Sequence, residues 1–156
     1  MVRRYRLRKS EIRELKERAA RELGKEVEGE TFEVVEEEGR RIILVDGSVS
    51  LLEEGGKLLP FVGAAEGLGR RVVVDMGAVP YLARGADVMS PGVVRVEGEI
   101  RPGEVVAVVD ERHGKVLAVG EALVPGEEMV GRKGKVVKNL HHVGDAVWKL
   151  MEKGFK

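Results

Sequence analysis

The stretch Asp75-Met76-Gly77-Ala78-Val79-Pro80-Tyr81-Leu82-Ala83-Arg84-Gly85-Ala86-Asp87-Val88-Met89-Ser90-Pro91-Gly92-Val93 decides how the chain is read. It follows the apolar run Val72-Val73-Val74, a strand by composition. Pro80 has no N–H to give and its φ is already helical, so it fits only near a first turn. A helix therefore starts at about Met76 or Gly77. Gly85 can take the left-handed conformation that ends helices, which bounds a helix at Ala78 to Arg84. Ser90-Pro91-Gly92-Val93 places Pro second and Gly third, the type II arrangement, before the next strand. So short a helix has many free amides for its length. They need a partner, either the Asp75 side chain or an outside anion, and the small residues Gly77 and Ala78 leave room for a phosphate.

Working outward, 156 residues allow one domain or two small ones. Apolar residues at 43% suffice for a core, and charged residues at 35% exceed the usual quarter. Cysteine is absent, which excludes a disulfide framework or thiolate metal site and suits a cytoplasmic, thermophile-like protein. Neither a signal peptide nor a membrane span is visible. Net charge is zero, 27 basic against 27 acidic, but the charges are segregated. Arg3, Arg4, Arg6, Arg8 and Lys9 open the chain, Arg132, Lys133, Lys135 and Lys138 cluster late, and Glu26 to Glu38 is an acidic block between them.

Tyr5 to Arg8 alternates as a short strand. Ser10 is a candidate N-cap for a helix whose Ile12, Leu15, Ala19 and Leu23 recur at helical spacing up to Gly24, with Glu14–Arg18 and Glu17–Arg21 as i,i+4 pairs. Thr31 to Val35 reads as a strand. Arg41 to Val45 and Ser48 to Leu52 flank Asp46-Gly47, a strong hairpin signal, and Gly55-Gly56 ends that hairpin. Leu58 to Val62 is a last strand or an extended crossing, and Ala64 to Gly69 a loop or short helical turn. The expected division is residues 1–70 and 71–156. In the second part Val94, Val96 and Ile100 share a face, and the short strands Val105 to Val109, Val116 to Leu123 and Lys135 to His141 alternate with Gly/Pro turns, as in a small sandwich or barrel. Asp145 caps a final helix through Met151, with Trp148 as a core anchor. The fold class is α+β: a helix on an antiparallel sheet, then a pseudo-barrel of short strands with two short helices.

Catalytic motifs are lacking. Gly67-Leu68-Gly69 meets Val72 where a dinucleotide loop wants Gly, and Gly126 to Gly131 is followed by Arg132 without the P-loop Lys-Ser/Thr. Adjacent His141 and His142 on a strand point to opposite faces, which does not make a shared metal site, and His113 sits in a turn. The chain reads as non-enzymatic, with no cofactor and no metal. For RNA there is more: backbone donors at the Gly77 helix start, Arg84 late in that helix, and the flexible cationic loop Gly131-Arg132-Lys133-Gly134-Lys135. Tyr81 offers a stacking face, although an aromatic on so short a helix more often packs inward.

The organising stretch resembles the PUA domain signature through Asp75, Gly77, Ala78, Gly85, Ala86, Pro91 and Gly92, and Gly134 to Trp148, GKVVKNLHHVGDAVW, resembles the closing strand and last helix of that domain. The resemblance implies RNA lying along the glycine-rich helix and neighbouring strands. That maps onto Gly77, Ala78, Tyr81, Arg84, Gly85, Met89 and the loop residues Arg132, Lys133 and Lys135. With the first half, the whole is similar to the malignant T-cell amplified sequence family and its archaeal relatives, and Asn139 to Leu150, NLHHVGDAVWKL, looks like that family's terminus. The implied function is a translation-associated factor that contacts rRNA of the small ribosomal subunit or a tRNA acceptor end, with a basic N-terminal segment on the ribosome and a density-regulated-protein-like partner. The alternative is an RNA-delivery module for a separate tRNA or rRNA modification enzyme.

Overall fold

The computed structural model describes residues 2–155. Strands β1 (Arg3–Arg6), β2 (Phe32–Glu37), β3 (Arg40–Val45), β4 (Ser48–Glu54) and β5 (Lys57–Pro60) form an antiparallel sheet in sequence order. Helix α1 (Lys9–Leu23) lies on it, with Ala19 and Leu23 buried. The helix begins two residues earlier than its sequence suggests. Arg8 is the extended residue before it, and the Arg8 amide donates to the Glu11 carboxylate at 2.9 Å, so Ser10 lies inside the first turn. Arg18 pairs with Glu22 and reaches across to Glu53 on β4, which displaces the expected Glu14 partner.

Three tight turns connect β2 to β5, at Glu38-Gly39, Asp46-Gly47 and Gly55-Gly56, each with both residues at positive φ. Such turns match the twist of the strands they join. One of them departs from expectation: Glu38-Gly39 lies hidden in the acidic run, whereas Gly55-Gly56 ends β4 as expected and leads into β5, the last-strand alternative for the segment from Leu58.

The second sheet contains β6 (Arg71–Val74), β7 (Val88–Met89), β8 (Val93–Glu97), β9 (Val105–Asp110), β10 (Val116–Ala122) and β11 (Lys135–His142), in the order β7-β11-β10-β9-β6-β8. Only the β6–β9 pairing is parallel. Register shifts in β8, β9, β10 and β11 pairings bend it into a half-barrel with β7 and β8 as edges. One shift corrects the reading of β8. Val73 pairs with Arg95 but Val74 pairs with Val93, so Val94 is the extra residue and turns outward, off the face shared by Val96 and Ile100.

The core explains why β9 reads as an uninterrupted apolar run. Val105, Ala107 and Val109 face the first sheet and pack with α1 and β2 to β5, while Val106 and Val108 face the barrel interior with Val72, Val74 and Leu82. A strand covered on both faces has no polar side to alternate with. Helix α3 (Ala146–Lys153) closes the junction. Asp145 accepts the Trp148 amide at 3.0 Å as its cap, and the half-buried Trp148 ring stacks on Phe61 with centroids 5.8 Å apart. At the centre of the junction His141, 1% exposed, accepts the Val62 amide at Nε2 over 3.0 Å and meets Asp145 Oδ2 at Nδ1 over 2.6 Å. With Nε2 acting as acceptor, Nδ1 is the nitrogen that donates to Asp145.

Candidate nucleic-acid interface

The last residue of β6 leads into Asp75, whose amide donates to the Gly92 carbonyl at 2.9 Å. Asp75 Oδ1 then accepts the Ala78 amide at 2.9 Å. Of the two partners open to that amide, the side chain has taken it. The carboxylate also puts negative charge beside the start of the turn, which opposes the approach of a phosphate there. Helix α2 (Val79–Leu82) is one turn long, shorter than the expected span to Arg84. It stops early because the Gly85 amide turns back to Leu82 O and the Ala86 amide to Tyr81 O, with Gly85 at φ +90° as its sequence requires.

Ser90–Gly92 forms a 3-10 turn in place of the expected type II turn, and Gly92 does not have positive φ. Its small size serves contact. A Cβ there would lie 3.4 Å from Ala78 Cβ, so the two small residues let the turn lie against the start of α2.

Between them lies a groove of about 420 Å³ lined by Ala78, Tyr81, Leu82, Met89, Pro91 and Gly92, with Asp75 and Asp87 at its borders. Tyr81 is 63% exposed and Met89 45%, so the aromatic ring stands in solvent, contrary to the inward packing expected of it. Such exposed apolar side chains around a concave surface offer stacking area.

The cationic loop is tied to this groove from below. Met89 of β7 stands opposite Lys135 of β11, and the Ser90 amide donates to Gly134 O at 2.9 Å. The buried Ser90 hydroxyl donates to Met129 O at 2.8 Å and accepts the Arg132 amide at 3.0 Å. Lys135 reaches Asp87 at 3.3 Å. The Asn139 amide, donating to Asp87, and Lys135 hold that carboxyl below its usual range against the opposing effect of burial. Asn139 also donates from its side chain to Leu82 O and Ala86 O, fixing the segment after α2. Arg132 and Lys133 are exposed and have no carboxylate within 4.0 Å among the described residues.

The structure thus gathers Gly77, Ala78, Tyr81 and Met89 at one groove, with Lys135 across the strand pair from Met89. Arg132 and Lys133 are carried on the loop pinned by Ser90. Arg84 is exposed at the far end of α2, beside Gly85, where a Cβ would come 3.3 Å from His142 Nε2. Sequence reasoning missed Ser90, Asp87 and Asn139, whose roles are ties across 42, 52 and 53 residues.

Residues 70–144 match the model of the PUA domain, and residues 3–64 match a domain of unknown function, DUF1947. An uncharacterized protein of Methanocaldococcus jannaschii is 45% identical over 111 residues, which cover 69% of this chain and 68% of that protein. Translation machinery-associated protein 20 of Saccharomyces cerevisiae is 29% identical over 114 residues, covering 67% of this chain and 63% of the yeast protein. The crystal structure of a hypothetical protein from Pyrococcus horikoshii superposes with a TM-score of 0.84 at 32% identity, over 94% of this chain and 98% of that one.

Proposed function

Since the chain belongs to the PUA-domain proteins of the malignant T-cell amplified sequence type, with DUF1947 ahead of the PUA domain, we propose that it is a non-catalytic RNA-binding factor of translation that contacts the small ribosomal subunit or a tRNA acceptor end. The observation that carries this reading is the pairing of a solvent-open apolar groove at Tyr81 and Met89 with the uncompensated cations Arg132 and Lys133. An unpaired nucleotide needs both: a flat surface for its base and positive charge for its phosphate. Asp75 and Asp87 at the groove borders repel phosphate, so the base or ribose enters the groove and the backbone runs along the loop. The kinship with translation machinery-associated protein 20 supports the translational setting; a density-regulated-protein-like partner, implied by the family resemblance, is part of the same proposal.

The test is fluorescence anisotropy with a labelled tRNA, carrying an intact or a trimmed 3′ end, and with isolated small subunits. Arg132→Gln combined with Lys133→Gln is expected to weaken binding about tenfold at low salt and to leave the melting temperature unchanged. Equal binding of wild type and variant to every probe would reject the proposal.

A further inference from the structure

We propose that the flank of α1 bearing Lys9, Arg13 and Lys16 is a second RNA-contacting surface, which takes the phosphate backbone of a duplex adjoining the nucleotides held in the groove. This rests on RNA binding at the groove.

The charge map of the first half supports it. Of the opening cations, which the sequence alone marks as the basic segment, Arg3 and Arg4 are consumed within the protein. Arg3 pairs with Glu36, Arg4 with Glu33 and with the Phe155 carbonyl, and Arg6 stands across from Glu33 in the β1–β2 register. On α1, Arg18 is held by Glu22, Glu53 and the Gly56 carbonyl, and Arg21 approaches Glu22 at 3.7 Å. Lys9, Arg13 and Lys16 differ from the paired arginines Arg3, Arg4, Arg18 and Arg21. Among the described residues none has a carboxylate within 4.0 Å, although Glu11, Glu14 and Glu17 are on the same helix and Glu17 follows Arg13 by one turn.

Helical geometry makes the three a line. Positions i, i+4 and i+7 fall within a sector of about 60° and span about 10 Å along the axis. Lys16 is further fixed by its ammonium group, 5.6 Å from the Phe32 ring centroid. A row of unneutralised cations on a rigid rod repels itself, and the natural complement is a polyanion whose charges are also regularly spaced. The exposed neighbours Ser10 and Ala20 offer nothing for a base to stack on and no apolar anchor for a protein partner, which favours a duplex backbone over a single strand or an acidic protein segment.

The experiment compares the full chain with the variant Lys9→Gln, Arg13→Gln, Lys16→Gln on two probes: an RNA hairpin with a single-stranded 3′ tail, and the tail alone. On the tailed hairpin the variant should bind at least tenfold more weakly at low salt, with a slope of log affinity against log salt shallower by about two to three. On the tail alone it should bind as wild type does. A variant that keeps the full slope while wild type binds both probes overturns the α1 surface and leaves the groove intact. If that variant also loses a protein that wild type captures, the surface belongs to an acidic protein partner and the duplex proposal fails. Wild type that binds neither probe overturns both readings.

Discussion

Ser90 and Arg132 are joined by a hydrogen bond of 3.0 Å, the loop amide donating to a hydroxyl that is 1% exposed. The same hydroxyl donates to Met129 O, so one buried oxygen holds both ends of the short segment that leads into the cationic loop. Ser90→Ala removes both bonds and leaves a buried carbonyl unpaired, a loss of about 1 to 2 kcal/mol. The cations themselves remain. RNA affinity is therefore expected to fall because the loop must be ordered on binding, while the salt dependence of binding stays as in wild type. Denaturant midpoints and binding isotherms at several salt concentrations check the two halves of this expectation.

The Asp145 carboxyl gives the protein an acid-sensitive joint. Burial pushes its pKa up, but the bond to His141 and the amides of Trp148 and His142 outweigh this and bring it down to about 2. A depressed carboxyl pKa means that the unfolded chain binds its proton first. The stabilisation is fully present above the ordinary carboxylate range near 4 and is lost as pH falls from there towards 2. The contribution is about 2 kcal/mol at neutral pH. Asp145→Asn should lower stability at pH 7, and the gap between variant and wild type should close as both are titrated below pH 4. Thermal melts across that range decide it; a gap that stays constant with pH contradicts the assignment.

Phe61 lies between the His141 ring at 5.3 Å and the Trp148 ring at 5.8 Å and is buried where the two sheets and α3 meet. Phe61→Ala leaves a cavity at that point, for a loss of about 3 to 5 kcal/mol. Hydrogen exchange at the Val62 amide, which His141 holds, should rise with the fall in melting temperature. A variant with unchanged exchange there would show that the joint does not depend on the ring.

These cases mark where the sequence is legible. Gly24, Asp46-Gly47 and the Asp145 cap are local chemistry, complete within a few residues, and appear where expected. The run Val105 to Val109 declares a strand buried on both sides by lacking polar positions. The turn at Glu38-Gly39 is different: Glu38 carries positive φ because the pairing of β2 with β3 imposes it, and nothing in an acidic run announces that. Val94 likewise reads as inward until the bulge opposite Val73-Val74 turns it out. At the site, Tyr81, Met89 and the loop cations were visible as residue types. Ser90, Asp87 and Asn139 were not, since a polar side chain bonded to backbone far along the chain leaves no periodic trace.

The exposure of Tyr81 separates stability from binding at the groove. With 63% of the residue in solvent, Tyr81→Ala removes little packing and should change stability by less than about 0.5 kcal/mol. If a base stacks on the ring, the same change costs about 1 to 3 kcal/mol of binding, or roughly fivefold to 150-fold in affinity. Tyr81→Phe keeps the flat surface and should bind nearly as wild type, which distinguishes stacking from a hydrogen bond of the phenol. Because stacking is neutral, the salt slope should be the same for wild type and both variants. Isotherms with a short single-stranded RNA are the measurement, and equal affinity of wild type and Tyr81→Ala would place the base elsewhere.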